Sequence, residues 1–348
     1  MAEPSGQRGG LMAAEVAAQP EVLARVLADG LAEVRAVADE LRRRAPRFVL
    51  LAARGTSDHA ALYGKYLLEV ELGLPCGLAS PSTYTAYGAR PDLRDVLVVA
   101  VSQSGGSPDL LGTVEVAAAC GATTLAVTNA PDSELARAAG LHLDVRAGTE
   151  LSVAATKSYS AELLTLLLLV DAWAGGDAAD ARPLPDAVHE LVVRRAEMAA
   201  LAHRYERATR LVTTGRGFAY PTAREAALKV METSYLGAHA FSGADLLHGP
   251  LAMLDRGDPV VAVVPPGVGA TAMAPVLDRV VERGADLVVL GDAAPPDVTT
   301  FALPAGVSER AHPVVDIVAL QWLALELALA RGLDPDRPRG LAKLTQTW

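Results

Sequence analysis

Glu225, Lys229 and Glu232 stand at spacings of four and three in the run Tyr220-Pro-Thr-Ala-Arg-Glu-Ala-Ala-Leu-Lys-Val-Met-Glu-Thr-Ser-Tyr235. On a helix those spacings put the three groups along one stripe, with an amine between two carboxylates. On a solvated face the stripe is an ion-pair ladder worth ~0.2–0.5 kcal/mol per pair. The neighbours Ala226, Ala227, Leu228, Val230 and Met231 leave little face to solvate, so we expect a buried cluster with a proton-transferring glutamate. The lysine adds weight, because only four of the chain's 31 basic residues are lysines: Lys65, Lys157, Lys229 and Lys343. A guanidinium stays protonated, whereas an amine can lose its proton, attack a carbonyl or shuttle hydrogen. Lys229 and Lys343 are therefore the candidates for amine chemistry. Lys65 is expected to serve as a charge, and Lys157 to build the loop that contains it.

Two further groups extend the set. His248 lies in Ser242-Gly-Ala-Asp-Leu-Leu-His-Gly-Pro250, a Gly-Pro-bounded turn where an imidazole can give and take a proton near neutral pH. Lys343 ends Asp336-Arg-Pro-Arg-Gly-Leu-Ala-Lys343, beyond the last helical repeat; the apolar Leu341 and Leu344 around it suit a tail that folds over a site.

Three hydroxyl-rich loops could hold an anion. Ser102-Gln-Ser-Gly-Gly-Ser-Pro108 follows an apolar strand, with Ser107 suited to a helix N-cap and Pro108 to the first turn. Gly55-Thr56-Ser57 follows another strand, and Gly148-Thr-Glu-Leu-Ser-Val-Ala-Ala-Thr-Lys-Ser158 precedes a strongly apolar helix. Any one of them is an ordinary Ser/Gly turn. Together at the carboxyl edge of one sheet they form a phosphate site, since glycines admit the backbone closely and helix N-termini offer free N–H groups.

The elements that must carry these groups come in two sets. Phe48–Gly55 matches Arg210–Gly217, Val98–Val101 matches Val260–Val263, and Gly121–Val127 matches Gly284–Leu290, at shifts of 162, 162 and 163. Short apolar strands alternate with Ala-rich helical stretches such as Val114–Cys120 and Met273–Arg283, which predicts an α/β fold of two tandem doubly wound parallel sheets related by duplication. The second copy has Val264-Pro-Pro-Gly267 where the first has Ser102–Gly105, so only the first is expected to bind phosphate. The expected division is an N-terminal arm and helix over 1–46, with a disordered start from Met1 to Gly10. The first repeat follows over 47–176, a linker and helix over 177–199, the second repeat over 200–333 and an active-site tail over 334–348.

Composition excludes several classes. The net charge of −10 argues against nucleic acid and anionic membranes as partners. The run from Leu163 to Val170 is far below the roughly 20 residues of a bilayer span, and no basic region followed by an apolar core opens the chain, so a cytoplasmic protein is expected. Cys76 and Cys120 have no CxxC spacing and are expected to be inert; neither a metal nor another cofactor is called for.

The SQSG and GTS loops, the GRGxxYPxAxExALKxxExSY helix, the HGP turn and the PRxLAK tail occur here in one order over roughly residues 20 to 348. In these the chain closely resembles the tandem sugar isomerase (SIS) domains that form the isomerase half of glucosamine-6-phosphate synthase, and the related type II glucosamine-6-phosphate deaminases. The resemblance implies that Ser57, Ser102, Gln103, Ser104 and Ser107 hold a 6-phosphate, with Thr56, the Val153 backbone and Ala342 near the sugar. It implies that Glu232 moves a proton between C2 and C1 and that Lys229 accompanies it. It makes His248, donated by the neighbouring subunit of a homodimer, the ring-opening group, and Lys343 the lysine that meets the open-chain carbonyl. Chemically, ring opening must precede C2 deprotonation, and the enediol-type intermediate then needs a cation.

Neither a glutaminase domain nor an N-terminal cysteine nucleophile precedes the pair, so glutamine-dependent amination is not expected, and an amino-sugar 6-phosphate isomerase or deaminase is. Gly106 stands where the family usually has Glu, Ala155 where Ser is common, and His239, Asp245 and Leu247 where the synthase has two acids and a base. These departures surround the amine end of the sugar and leave a second reading open, a dehydratase that removes the C2 proton of an N-acetylamino-sugar 6-phosphate and then expels the 3-hydroxyl. A third is a non-catalytic sugar-phosphate sensor.

Overall fold

The computed structural model describes residues 8–343. The chain divides into two compact units. One comprises Glu21–Glu150, Lys157–Arg182 and the tail from Ala342; the other comprises the residues up to Pro20, Leu151–Thr156 and Pro183–Leu341.

In the first unit β1 (Phe48–Ala52), β2 (Cys76–Leu78), β3 (Val96–Ser102), β4 (Thr123–Thr128) and β5 (Leu141–Asp144) form a parallel sheet in the order β2-β1-β3-β4-β5. In the second, β6 (Arg210–Gly215), β7 (Gly237–Ser242), β8 (Pro259–Val263), β9 (Asp286–Leu290) and β10 (Thr299–Phe301) pair in parallel as β7-β6-β8-β9-β10. The two orders are the same. So are the registers: Leu50 opposes Val98 as Val212 opposes Val260, and Val99 opposes Leu125 as Val261 opposes Val288. Those pairs are related by the 162 and 163 shifts read from sequence, so the fold is a duplicated doubly wound α/β unit.

β3 and β8 are continuous apolar runs because helices cover both of their faces; every residue of β8 is buried. In the first unit Ala52, Ala100, Leu110, Val114, Ala126 and Leu135 form one packed layer. Val212, Val260, Ala262, Leu277, Val280 and Val289 do the same in the second. Each Val or Leu side chain so removed from water contributes ~1.5–3 kcal/mol.

The helix His312–Ala330 has 19 residues, with a mean hydropathy of 1.7 over an 18-residue window, a longer apolar stretch than the Leu163–Val170 run singled out from sequence. It matches a membrane span by length and composition, but 83% of it is buried inside the protein, where it packs on the helices Ala219–Ser234 and Arg195–Tyr205. It is apolar all round because it is a core helix.

Of the start expected to be disordered, Met1 to Gly10, residues 1–7 lie outside the described residues, and Gly9 and Gly10 are held in place. Gly9 N–H donates to Asp334 Oδ1 at 3.1 Å, and Leu11 and Met12 N–H groups donate to the Asp336 carboxylate at 2.8 and 2.9 Å. The helix Gly10–Ala17 is thus capped by acids some 320 residues away, which no local sequence signal announces. The linker expected to open the 177–199 segment is structured as well: Asp171 Oδ2 accepts from Ala178 N–H at 2.8 Å, Ala179–Ala181 forms a 3-10 turn and Leu184 starts a helix.

Candidate functional site

The crossover in each sheet separates β1 from β3, and β6 from β8; ligands of doubly wound folds collect at the carboxyl ends of strands beside such a point. In the first unit both expected phosphate loops are there. β1 runs into Arg54-Gly55-Thr56-Ser57 and β3 into Ser102–Ser107. Arg54 ties them together, its guanidinium 2.7 Å from the buried Asp109 carboxylate at the start of the helix Pro108–Ala119. Ser107 is the N-cap residue and Pro108 the first helical residue as expected, although the Ser107 hydroxyl makes no cap hydrogen bond. Ser102 Oγ accepts from Gly105 N–H at 3.2 Å and Ser104 Oγ from Gly106 N–H at 3.3 Å, which folds the loop on itself. Gly105 is required: its φ is +60°, and a Cβ there would come within 2.1 Å of Ser133 Oγ.

Ser57 departs from the simple picture. It is 7% exposed and donates its hydroxyl to Glu162 Oε1 at 2.9 Å. Glu162, an acid inside the apolar helix Lys157–Trp173, was not singled out from sequence. A carboxylate within an apolar run is itself the signal that could have found it, since such a group is buried only with partners.

The third loop spans the boundary between the units in the chain. Its first part lies in the first unit, where Glu150 accepts from Ser158 N–H and hydroxyl at 3.0 and 2.7 Å, and Lys157 Nζ donates to the Thr149 carbonyl at 2.7 Å. Lys157 builds the loop, as expected. Lys343 Nζ lies 2.9 Å from Glu150 Oε2, beside the exposed Ala342. Leu344 lies outside the described residues. Val153 and Thr156 belong to the second unit; there the Glu15 carboxylate accepts from the N–H groups of Leu151 and Ser152.

The second unit holds the amine cluster. Ala219–Ser234 is one helix that carries Glu225, Lys229 and Glu232 on the predicted stripe. The side chains of Lys229 and Glu225 are 1% and 0% exposed, and that of Glu232 is 23% exposed. Lys229 Nζ is 3.4 Å from Glu225 and donates a short hydrogen bond to Glu232. Burial alone would push the ammonium toward neutrality, but the charges of Glu225 and Glu232 outweigh it and hold Lys229 above the ordinary lysine range. Lys229 is thus a fixed cation whose remaining partner, Glu232, reaches the surface.

His248 follows the short helix Gly243–Leu247 as an exposed loop residue, its N–H donating to the Asp245 carbonyl at 3.0 Å. Asp245 itself is exposed and accepts from Ser242 Oγ at 2.7 Å; His239 is exposed and stacks on Phe241 at 6.2 Å. The tail leaves this unit past Arg339, whose N–H donates to Tyr235 Oη at 2.8 Å.

The second crossover carries no hydroxyl loop. Glu309 fills the position instead: its carboxylate accepts from Val268 and Gly269 N–H at 2.8 and 2.7 Å, at the start of the helix Val268–Glu282. The equivalent helix start in the first unit is the one behind Ser107. An internal carboxylate therefore occupies that helix start in the second copy.

Three comparisons bear on these units. The SIS domain model matches residues 44–172 and 205–331. The glutamine–fructose-6-phosphate aminotransferase (isomerizing) of Halobacterium salinarum is 40% identical over 308 residues, which is 84% of this chain and 51% of that protein. The chain spans about half the length of the curated relatives it matches. Among solved structures, the C-terminal domain of glucosamine-fructose-6-phosphate aminotransferase from Francisella tularensis superposes with a TM-score of 0.86 at 26% identity, covering 96% of this chain and 99% of that one. Glucosamine-6-phosphate deaminase from Thermotoga maritima shares the fold at TM-score 0.79 and 22% identity, covering 97% and 100%.

Proposed function

This chain belongs to the SIS domain family, and from that membership we propose that it is an amino-sugar 6-phosphate isomerase or deaminase working through an enediol-type intermediate. The observation that carries the reading is the buried Lys229 between Glu225 and Glu232, which leaves one carboxylate at the surface beside a permanent cation.

In this reading Ser57, Ser102, Gln103, Ser104 and Ser107 hold the phosphate, with Thr56, Val153 and Ala342 near the sugar. Binding energy from the phosphate, far from the reacting carbons, orients the sugar. His248 opens the ring, which its exposed loop position suits. Glu232 takes the proton from C2 and returns it at C1, a role worth ~10²–10⁴-fold in rate. Lys343 meets the open-chain carbonyl and, with an amine at C2, proton return at C1 leaves a C2 imine that water hydrolyses to ketose phosphate and ammonia. The working unit is a homodimer, with His248 contributed by the neighbouring subunit. Relatives that share the family support an enzyme rather than a sensor, and the retention of Glu232, His248 and Lys343 together supports it further.

The test is an assay on amino-sugar and N-acetylamino-sugar 6-phosphates that follows ammonia, ketose phosphate and an absorbing unsaturated product. Ammonia or ketose phosphate from the amino sugar is expected. An unsaturated product from the N-acetyl sugar alone would replace this reading by the dehydratase, and turnover of neither would remove both. Solution mass measurement tests the dimer.

A further inference from the structure

Glu150 lies within the connection from β5 to the helix Lys157–Trp173 with none of its side chain exposed. A carboxylate so deeply buried is stable only with its oxygens occupied by donors. Ser158 supplies its N–H to Oε1 and its hydroxyl to Oε2, both from the first turn of that helix, which fixes the carboxylate to a rigid element. The tail supplies a further donor: Lys343 Nζ, 26% exposed, at 2.9 Å from Oε2. The nearby cation Lys157 is engaged elsewhere, on the Thr149 carbonyl.

We propose that Glu150 is the positioning residue for Lys343, docking the tail amine at a fixed point on the phosphate-loop unit before any ligand arrives. The inference rests on the reading of Lys343 as the lysine that meets the substrate. It adds the part of the machinery that tells a chain end where to stand. A tail is otherwise free to fray; a hydrogen bond to an immobile carboxylate limits where Nζ can be, and geometry prepaid in this way is what makes an encounter productive. Charge assistance makes this contact stronger than a neutral hydrogen bond, and its buried acceptor makes it less open to screening than a surface pair. A ligand carbonyl then reaches Nζ by displacing the lysine from Glu150, while the Ser158 donors keep the carboxylate in place.

The test needs no sugar. A lysine docked on a carboxylate must undock to react, so trace acetylation of Lys343, ratioed to Lys157 in the same molecule, reports how often the tail is released. Glu150→Gln keeps an acceptor for Ser158 and removes the ion pair; it is expected to raise the Lys343-to-Lys157 ratio about tenfold, the order that losing one charge-assisted hydrogen bond implies. Ser158→Ala loosens the helix start without removing the ion pair, and its ratio is expected to match the wild type. An unchanged ratio in Glu150→Gln, or an equal rise in both variants, overturns the proposal. In turnover assays Glu150→Gln is expected to lower kcat with KM nearly unchanged, because the serines and Gln103 proposed to hold the phosphate are untouched; a rise in KM alone would also count against it. A labelling shift in a protein that turns over no sugar phosphate would sink the functional reading and leave the docking intact.

Discussion

Arg339 lies with its guanidinium 4.0 Å from the centroid of the Tyr235 ring, while its backbone N–H donates to the hydroxyl of the same tyrosine at 2.8 Å. The two residues close two separate motifs, the amine helix and the C-terminal tail. Tyr235 takes a left-handed conformation, φ +55°, to end its helix, which is an uncommon choice for a bulky residue. One side chain thus stops a helix and anchors the tail.

Tyr235→Ala removes both contacts and Tyr235→Phe only the hydroxyl, so the tail is expected to loosen in that order. Each contact is worth ~1 kcal/mol. Limited trypsin digestion at Arg339 measures it: several-fold faster cleavage in Tyr235→Ala with Tyr235→Phe between it and the wild type is the expected outcome, and equal rates would remove the anchor.

The carboxylates beside Lys229 are expected to separate by task. Glu232→Gln should cost ~10²–10⁴-fold in turnover with little change in unfolding free energy, because Glu225 still compensates the buried ammonium. Near-normal turnover in that variant would end the proton-transfer role.

Lys229→Met leaves Glu225 buried without its cation and is expected to cost ~3–5 kcal/mol. Since the folded protein holds this lysine above its ordinary value, its contribution is complete below about pH 10.4 and declines only as pH rises beyond that. Denaturant titrations of both proteins from neutral to alkaline pH should show a gap that narrows at the alkaline end; a gap that stays open there would contradict the assignment.

Gly267 and Glu309 are coupled. A Cβ on Gly267 would come within 2.2 Å of Glu309 Oε2, at a φ of +149° that side chains rarely adopt. Glu309→Ala is expected to cost ~1 kcal/mol through the lost helix-start bonds, and Gly267→Ala more, by expelling Glu309 as well as straining the backbone. In the double variant the two losses should fall short of their sum; strict additivity would mean that the carboxylate does not cap this helix.

Burial pushes the Cys76 thiol up to about 12, with the nearby charge of Glu69 acting in the same direction. At pH 8 about one molecule in ten thousand then carries the thiolate, so iodoacetamide should modify Cys76 far more slowly than a free cysteine. Rapid alkylation of the folded protein at that pH is the contrary outcome.

Sequence alone determined the duplication and the strands, because parallel strands covered on both faces must be continuous apolar runs and the copies kept their spacing to within one residue. It also determined the amine stripe, since helical spacing is a local property. Tertiary structure decided which acids matter around it. Glu150 and Lys343 are 193 positions apart, Ser57 and Glu162 are 105, and Val268 and Glu309 are 41. Each of those pairs forms because a buried carboxylate must find donors wherever the packed chain brings them, and local residue patterns carry no record of which distant N–H or amine that will be.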